Sequence, residues 1–79
     1  MKLQVLGTGC AKCTLLAERV AAAAREAGLE DAVEKVTDIQ QILAFGVLST
    51  PALAVDGKVL FSGKVPEVAE LRALLTRQG

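Results

Sequence analysis

Gly7-Thr8-Gly9-Cys10-Ala11-Lys12-Cys13 is the stretch on which the reading of this chain turns. It carries both cysteines of the sequence, spaced C-x-x-C, after an apolar run with Leu3, Val5 and Leu6 and before a long alanine-rich segment. Residues 2–6 read as a strand buried on both faces, in a sheet with helices packed on it. From Ala11 the apolar residues recur at the helical period. Leu16, Val20, Ala23, Ala24 and Ala27 share one face, and Glu18, Arg19, Ala22, Arg25 and Glu26 share the other, with Gly28 as the stop. The cysteines therefore stand at a strand-to-helix junction, in the first turn of a helix. A C-x-x-C so placed in a small chain without other cysteines suggests thiol and disulfide chemistry.

Beyond the first helix, residues 32–37 give a weaker strand signal, with Val33 and Val36 separated by Glu34 and Lys35. Asp38 is the expected N-cap of a short helix whose buried stripe is Ile39, Ile42 and Leu43, ended by Gly46. Residues 52–55 and 58–61 flank Asp56-Gly57, a two-residue turn pair that signals a hairpin. Pro66 is expected in the first turn of a last helix, where Val68, Leu71, Leu74 and Leu75 recur at helical spacing. Strand, helix, strand, helix, strand, strand, helix is an α/β order. It predicts a mixed four-stranded sheet with three helices, its first two strands parallel and its hairpin antiparallel.

The totals narrow the function. Seventy-nine residues predict a single domain spanning residues 1–79. With 52% apolar residues a core forms without a staple, and a C-x-x-C closes too short a loop to stabilise much by chain entropy. The 9 basic and 9 acidic side chains cancel, and Phe45 and Phe61 are the only aromatics, so neither a phosphate-binding field nor a base-stacking platform is present. Nucleic acid is not an expected partner. No apolar run approaches the roughly 20 residues that span a bilayer, and Met1-Lys2-Leu3 leads into a strand pattern rather than a signal-peptide core. The expectation is a cytoplasmic monomer without a membrane partner, in a compartment where isolated disulfides are more often catalytic than structural.

C-x-x-C between the first strand and first helix, Thr50-Pro51 opening the third strand, and a following hairpin and helix together resemble the thioredoxin fold in its minimal form. The glycine-flanked motif and the length are most similar to the small thioredoxin-like or glutaredoxin-like redox-active disulfide proteins. The resemblance implies a βαβαββα fold and a thiol–disulfide oxidoreductase with no cofactor beyond a redox-active Cys10–Cys13 disulfide. Its expected partners are disulfide-containing protein substrates and a flavin-dependent thioredoxin-type reductase.

A helix N-terminus offers unpaired backbone N–H groups and roughly half a positive charge, which favours a thiolate. Cys10, just outside the first turn, gains most and is the candidate nucleophile. Lys12 is a candidate thiolate stabiliser through its nearby charge. In the family's mechanism Cys10 forms a mixed disulfide with the partner and Cys13, less exposed, resolves it. Pro51 matches the family's cis-proline, which faces the cysteines and discourages metal capture. Thr50 before it would offer backbone groups to an extended peptide substrate. The chain departs from better-known members in several places. Ala11 and Lys12 replace Gly and Pro between the cysteines, no Trp precedes Cys10, and the buried Asp beneath the disulfide has no counterpart. Ser62-Gly63-Lys64 keeps one glycine of the glutaredoxin glutathione motif but not its pattern.

Gly7-x-Gly9 after a strand also suggests a dinucleotide fingerprint, but Lys12 stands where the third glycine belongs. The serious alternative is a soft-metal carrier or chaperone, since two thiolates suit Cu(I). Heavy-metal-associated domains, however, end on a strand, and they have no need of Thr50-Pro51.

Overall fold

The computed structural model describes residues 1–29 and 33–78. Along them run β1 (Leu3–Leu6), α1 (Ala11–Glu26), β2 (Val33–Val36), α2 (Ile39–Ala44), β3 (Ala52–Val55), β4 (Lys58–Ser62) and α3 (Val68–Gln78). The sheet has the order β2-β1-β3-β4. β1 is parallel to β2 and antiparallel to β3, and β3 is antiparallel to β4. This is the minimal thioredoxin-like topology expected from the sequence. Among the described residues no helix is long and apolar enough to cross a membrane.

Position in the sheet explains which strands were easy to read. β1 and β3 are central and every residue in them is buried, so they need apolar side chains on both faces. Leu3, Val5, Leu53 and Val55 face α1 and α3, packing with Leu16, Val20, Leu71 and Leu75. Leu6, Ala52 and Ala54 face the other way, against Val36, Ile42 and Val47. Each fully buried leucine contributes about 1.5–3 kcal/mol. Ala17, Ala23 and Ala24 are buried on α1, and their small side chains let α3 approach closely. β2 and β4 are edges with exposed Glu34, Lys35 and Lys58, which is why β2 reads weakly. Ala32, where that strand was expected to begin, lies outside the described residues.

The hairpin forms as expected. Asp56 (φ 51°) and Gly57 (φ 83°) both take the left-handed conformation required by the tight turn that matches strand twist. Asp56 also ties the turn to the start of β1. Its N–H donates to the Lys2 carbonyl at 2.9 Å, and its Oδ1 accepts from the Lys2 N–H at 2.7 Å.

Three expectations are corrected. Ile39 and Leu43 are not buried: they are 61% and 55% exposed, and of the proposed stripe only Ile42 meets the sheet. A helix of 6 residues has less than two turns, so one side chain suffices to seat it. Pro66 is buried but precedes the last helix, whose first hydrogen bond runs from the Leu71 N–H to the Glu67 carbonyl at 3.0 Å. Ala27 is the half-buried C-cap of α1 rather than part of its buried face. Arg19 also does more than face solvent. Its guanidinium donates to the Val65 and Pro66 carbonyls, both at 3.2 Å, and braces the connection into α3.

Asp38 caps α2 as expected, its Oδ1 accepting from the Gln40 N–H at 2.9 Å. Because so short a helix depends on its cap, Asp38→Ala should lower the unfolding free energy by about 1 kcal/mol. A denaturant titration checks this, and an unchanged midpoint would show that packing of Ile42 alone holds α2.

Candidate active site

The motif loop is an extension of β1. The Gly7 N–H donates to the Val36 carbonyl at 3.0 Å, carrying the β1–β2 pairing one residue past the strand. The chain then turns and enters α1 with Cys10 as N-cap, extended at φ −69° and ψ 168°. The Cys10 carbonyl accepts the first helical bond from the Thr14 N–H at 3.0 Å, and its sulfur accepts from the Cys13 N–H at 3.3 Å. A cysteine thus stands where Ser, Thr or Asp usually satisfies a helix start.

Cys10 is exposed and Cys13 buried, both as free thiols. Their sulfurs lie 2.7 Å apart and share a hydrogen, farther than the roughly 2.05 Å of a disulfide bond. The arrangement holds the Cys10 thiol below its ordinary range. The Cys13 thiol hydrogen bond is the largest cause and the Cys13 backbone N–H the next; desolvation opposes them, and the backbone N–H groups of Lys12 and Cys10 add further lowering. Lys12 is exposed and acts on Cys10 here through its backbone.

Gly7 is what lets the second sulfur fit. A Cβ at Gly7 would come within 2.9 Å of the Cys13 Cβ and closer still to its Sγ, and would stand 3.9 Å from the Thr50 Cβ. The loop before β3 therefore packs beside the motif loop, with Gly7 between Cys13 and Thr50. The Thr50–Pro51 peptide is cis; Pro51 is fully buried and Thr50 exposed. The Pro51 carbonyl accepts from the Gly63 N–H at 2.8 Å, so the Ser62-Gly63-Lys64 segment anchors this loop.

The structure thus brings Cys10, Cys13, Thr50 and Pro51 to one end of the sheet, around Gly7. Behind Cys13 lies a cleft of about 70 Å³ whose lining includes Val5, Gly7, Thr14, Lys35 and Thr37. Sequence reasoning singled out neither Lys35 nor Thr37. The available signal was strand parity, since parallel pairing of β1 and β2 puts Lys35 opposite Val5.

Comparison with known proteins agrees with the geometry. A family model described as a thioredoxin domain matches residues 1–76. The chain belongs to the thioredoxin family. This thioredoxin-family protein is 38% identical over 76 residues to a thioredoxin of Methanothermobacter thermautotrophicus, covering 96% of its own length and 99% of the relative's. It is 39% identical over 70 residues to a thioredoxin of Methanocaldococcus jannaschii, covering 89% and 80%. The soft-metal carrier finds no support: the family match is to a thioredoxin domain, and the element order ends in α3 rather than on a strand.

Proposed function

We propose that this chain is a protein disulfide reductase, an electron carrier that cycles between the Cys10/Cys13 dithiol and an intramolecular disulfide. The observation that carries the reading is an exposed Cys10 at a helix N-cap, 2.7 Å from the buried Cys13 thiol. The Cys10 thiolate attacks one sulfur of a substrate disulfide, giving a mixed disulfide and releasing the other substrate sulfur as a thiolate that takes up a proton. Cys13 then loses its proton and attacks the Cys10 sulfur. The Cys10–Cys13 bond forms, and the remaining substrate sulfur leaves with the electron pair. Two electrons and two protons have passed to the substrate.

Thr50 and Pro51 border the cysteines, and the exposed Thr50 backbone is the place for an extended substrate segment to dock. Lys12, between the cysteines, favours the Cys10 thiolate through its backbone N–H. The partners are disulfide-containing proteins and a flavin-dependent reductase that returns the electrons, with the protein acting as a cytoplasmic monomer.

Titration in thiol–disulfide buffers of graded ratio tests the cycle. Both thiols should disappear together at one midpoint, without covalent dimers, and return on reduction. Alkylation of Cys10 in the reduced protein should rise with pH about a midpoint below the free-thiol value of about 8.5, because the hydrogen bonds that favour the thiolate are absent from the unfolded chain. Failure to form an internal disulfide at any ratio would sink the proposal.

A further inference from the structure

We propose that Arg19, on α1, is a positioning residue for protein substrates: it fixes the gap between the Cys10 thiol and the Thr50 backbone on which a substrate segment docks. The inference rests on the oxidoreductase reading and adds a residue to it.

The two sides of that gap belong to separate elements. Cys10 caps α1, whereas Thr50 and Pro51 precede β3, and a docked disulfide reacts only when its sulfur is held within about 3–3.5 Å of the attacking thiolate. The Pro51 side is held by residues 62–66. The Gly63 N–H donates to the Pro51 carbonyl at 2.8 Å, and a Cβ at Gly63 would stand 2.9 Å from the Ser49 Oγ, so this segment lies directly against the docking loop. Further along the same segment, the Val65 and Pro66 carbonyls both accept from the Arg19 guanidinium at 3.2 Å. Arg19 shares a helix with Cys13 and lies about 9 Å farther along its axis, at roughly 1.5 Å per residue. Polar contacts therefore run from the cysteine helix through residues 63–66 to Pro51.

The other ties on this segment act differently. The Lys64 ammonium lies over the Phe61 ring and 3.7 Å from Glu70, which binds the segment to its own neighbours in β4 and α3. Val65 packs on the core, but apolar contact is non-directional and lets a segment slide. A guanidinium is a rigid, always charged fork of donors, and its bonds to two successive carbonyls fix a direction as well as a distance. The Arg19 side chain is 25% exposed, while its ion-pair partner Glu67, at 3.5 Å, is 81% exposed. The carbonyl bonds, rather than the ion pair, set its place.

The test measures reduction of insulin disulfides by the full chain, with dithiothreitol returning the electrons, beside reduction of hydroxyethyl disulfide, which has no peptide backbone to dock. Arg19→Met should lower kcat/KM for insulin about three- to tenfold, mostly through KM. Its rate with hydroxyethyl disulfide and the pH profile of Cys10 alkylation should stay at the parent values. Leu75→Val trims the buried face of α3 without touching residues 62–66, and it should lower the denaturant midpoint while keeping the parent KM. A parent KM in Arg19→Met, equal losses on both disulfides, or the same rise of KM in Leu75→Val would overturn the assignment. The parent protein in thiol buffers separates the two failures: no internal disulfide defeats the oxidoreductase reading, whereas a normal disulfide with an unmoved KM in Arg19→Met defeats Arg19 alone.

Discussion

Cys10→Ser should stop disulfide reduction, leaving a rate at least about a thousandfold below that of the parent protein. A hydroxyl at the same N-cap still accepts from the Cys13 N–H but does not ionise at neutral pH, so the fold survives and the chemistry does not. Because Cys10 is exposed, stability should change by no more than about 0.5 kcal/mol. Cys13→Ser should behave differently: the first attack proceeds, and a mixed disulfide between Cys10 and the substrate accumulates and is visible as an added mass. Reduction of a protein disulfide followed by mass spectrometry reads both variants. Parental turnover by Cys10→Ser, or no trapped adduct with Cys13→Ser, would reverse or remove the assigned roles.

Gly7→Ala should be the most damaging single-methyl change at the site. The added carbon would overlap the Cys13 side chain, 2.9 Å from its Cβ and nearer its Sγ. Both neighbours are constrained, since Gly7 is hydrogen-bonded to Val36 and Cys13 lies within α1. We expect a loss of about 1–3 kcal/mol and a displaced Cys13 sulfur, with a shifted midpoint in thiol buffers. Pairing the change with Cys13→Ala provides the control. If the clash is with the Cys13 thiol, the double variant recovers stability relative to the sum of the two single losses. Additive losses measured by denaturant titration would place the strain elsewhere.

The parts of this molecule legible from sequence were those decided locally. The switch from strand to helical period at Ala11, the Asp56-Gly57 turn and the Asp38 cap each depend on a few neighbouring residues. The structure has them where the pattern put them. The misjudged residues depend on what packs from elsewhere. Ile39 and Leu43 have helical spacing, but among the described residues no element covers α2 on that side; Pro66 has a sequence suited to a helix start, but Arg19 holds its carbonyl outside the helix. At the site, the spacing of the cysteines was visible and so was Thr50-Pro51. The steric need for Gly7 and the place of Lys35 at the cleft were not, because both arise from β1 lying beside β2 and beneath α1.

The exposed Glu34 and Lys35 in the middle of β2 have a consequence for how copies of this chain meet in a crowded solution. With 9 basic and 9 acidic side chains the formal net charge is zero, so no long-range repulsion keeps molecules apart. The sheet is open at both margins, and an open margin invites a strand from a neighbour. Here the β2 margin is 4 residues long and charged at its centre, while β4 begins on Lys58 and is irregular in register opposite Leu53 and Ala54. Short length, charge and irregularity at the two rims do the work that net charge does in other small proteins, and they keep the central strands from seeding a longer stack.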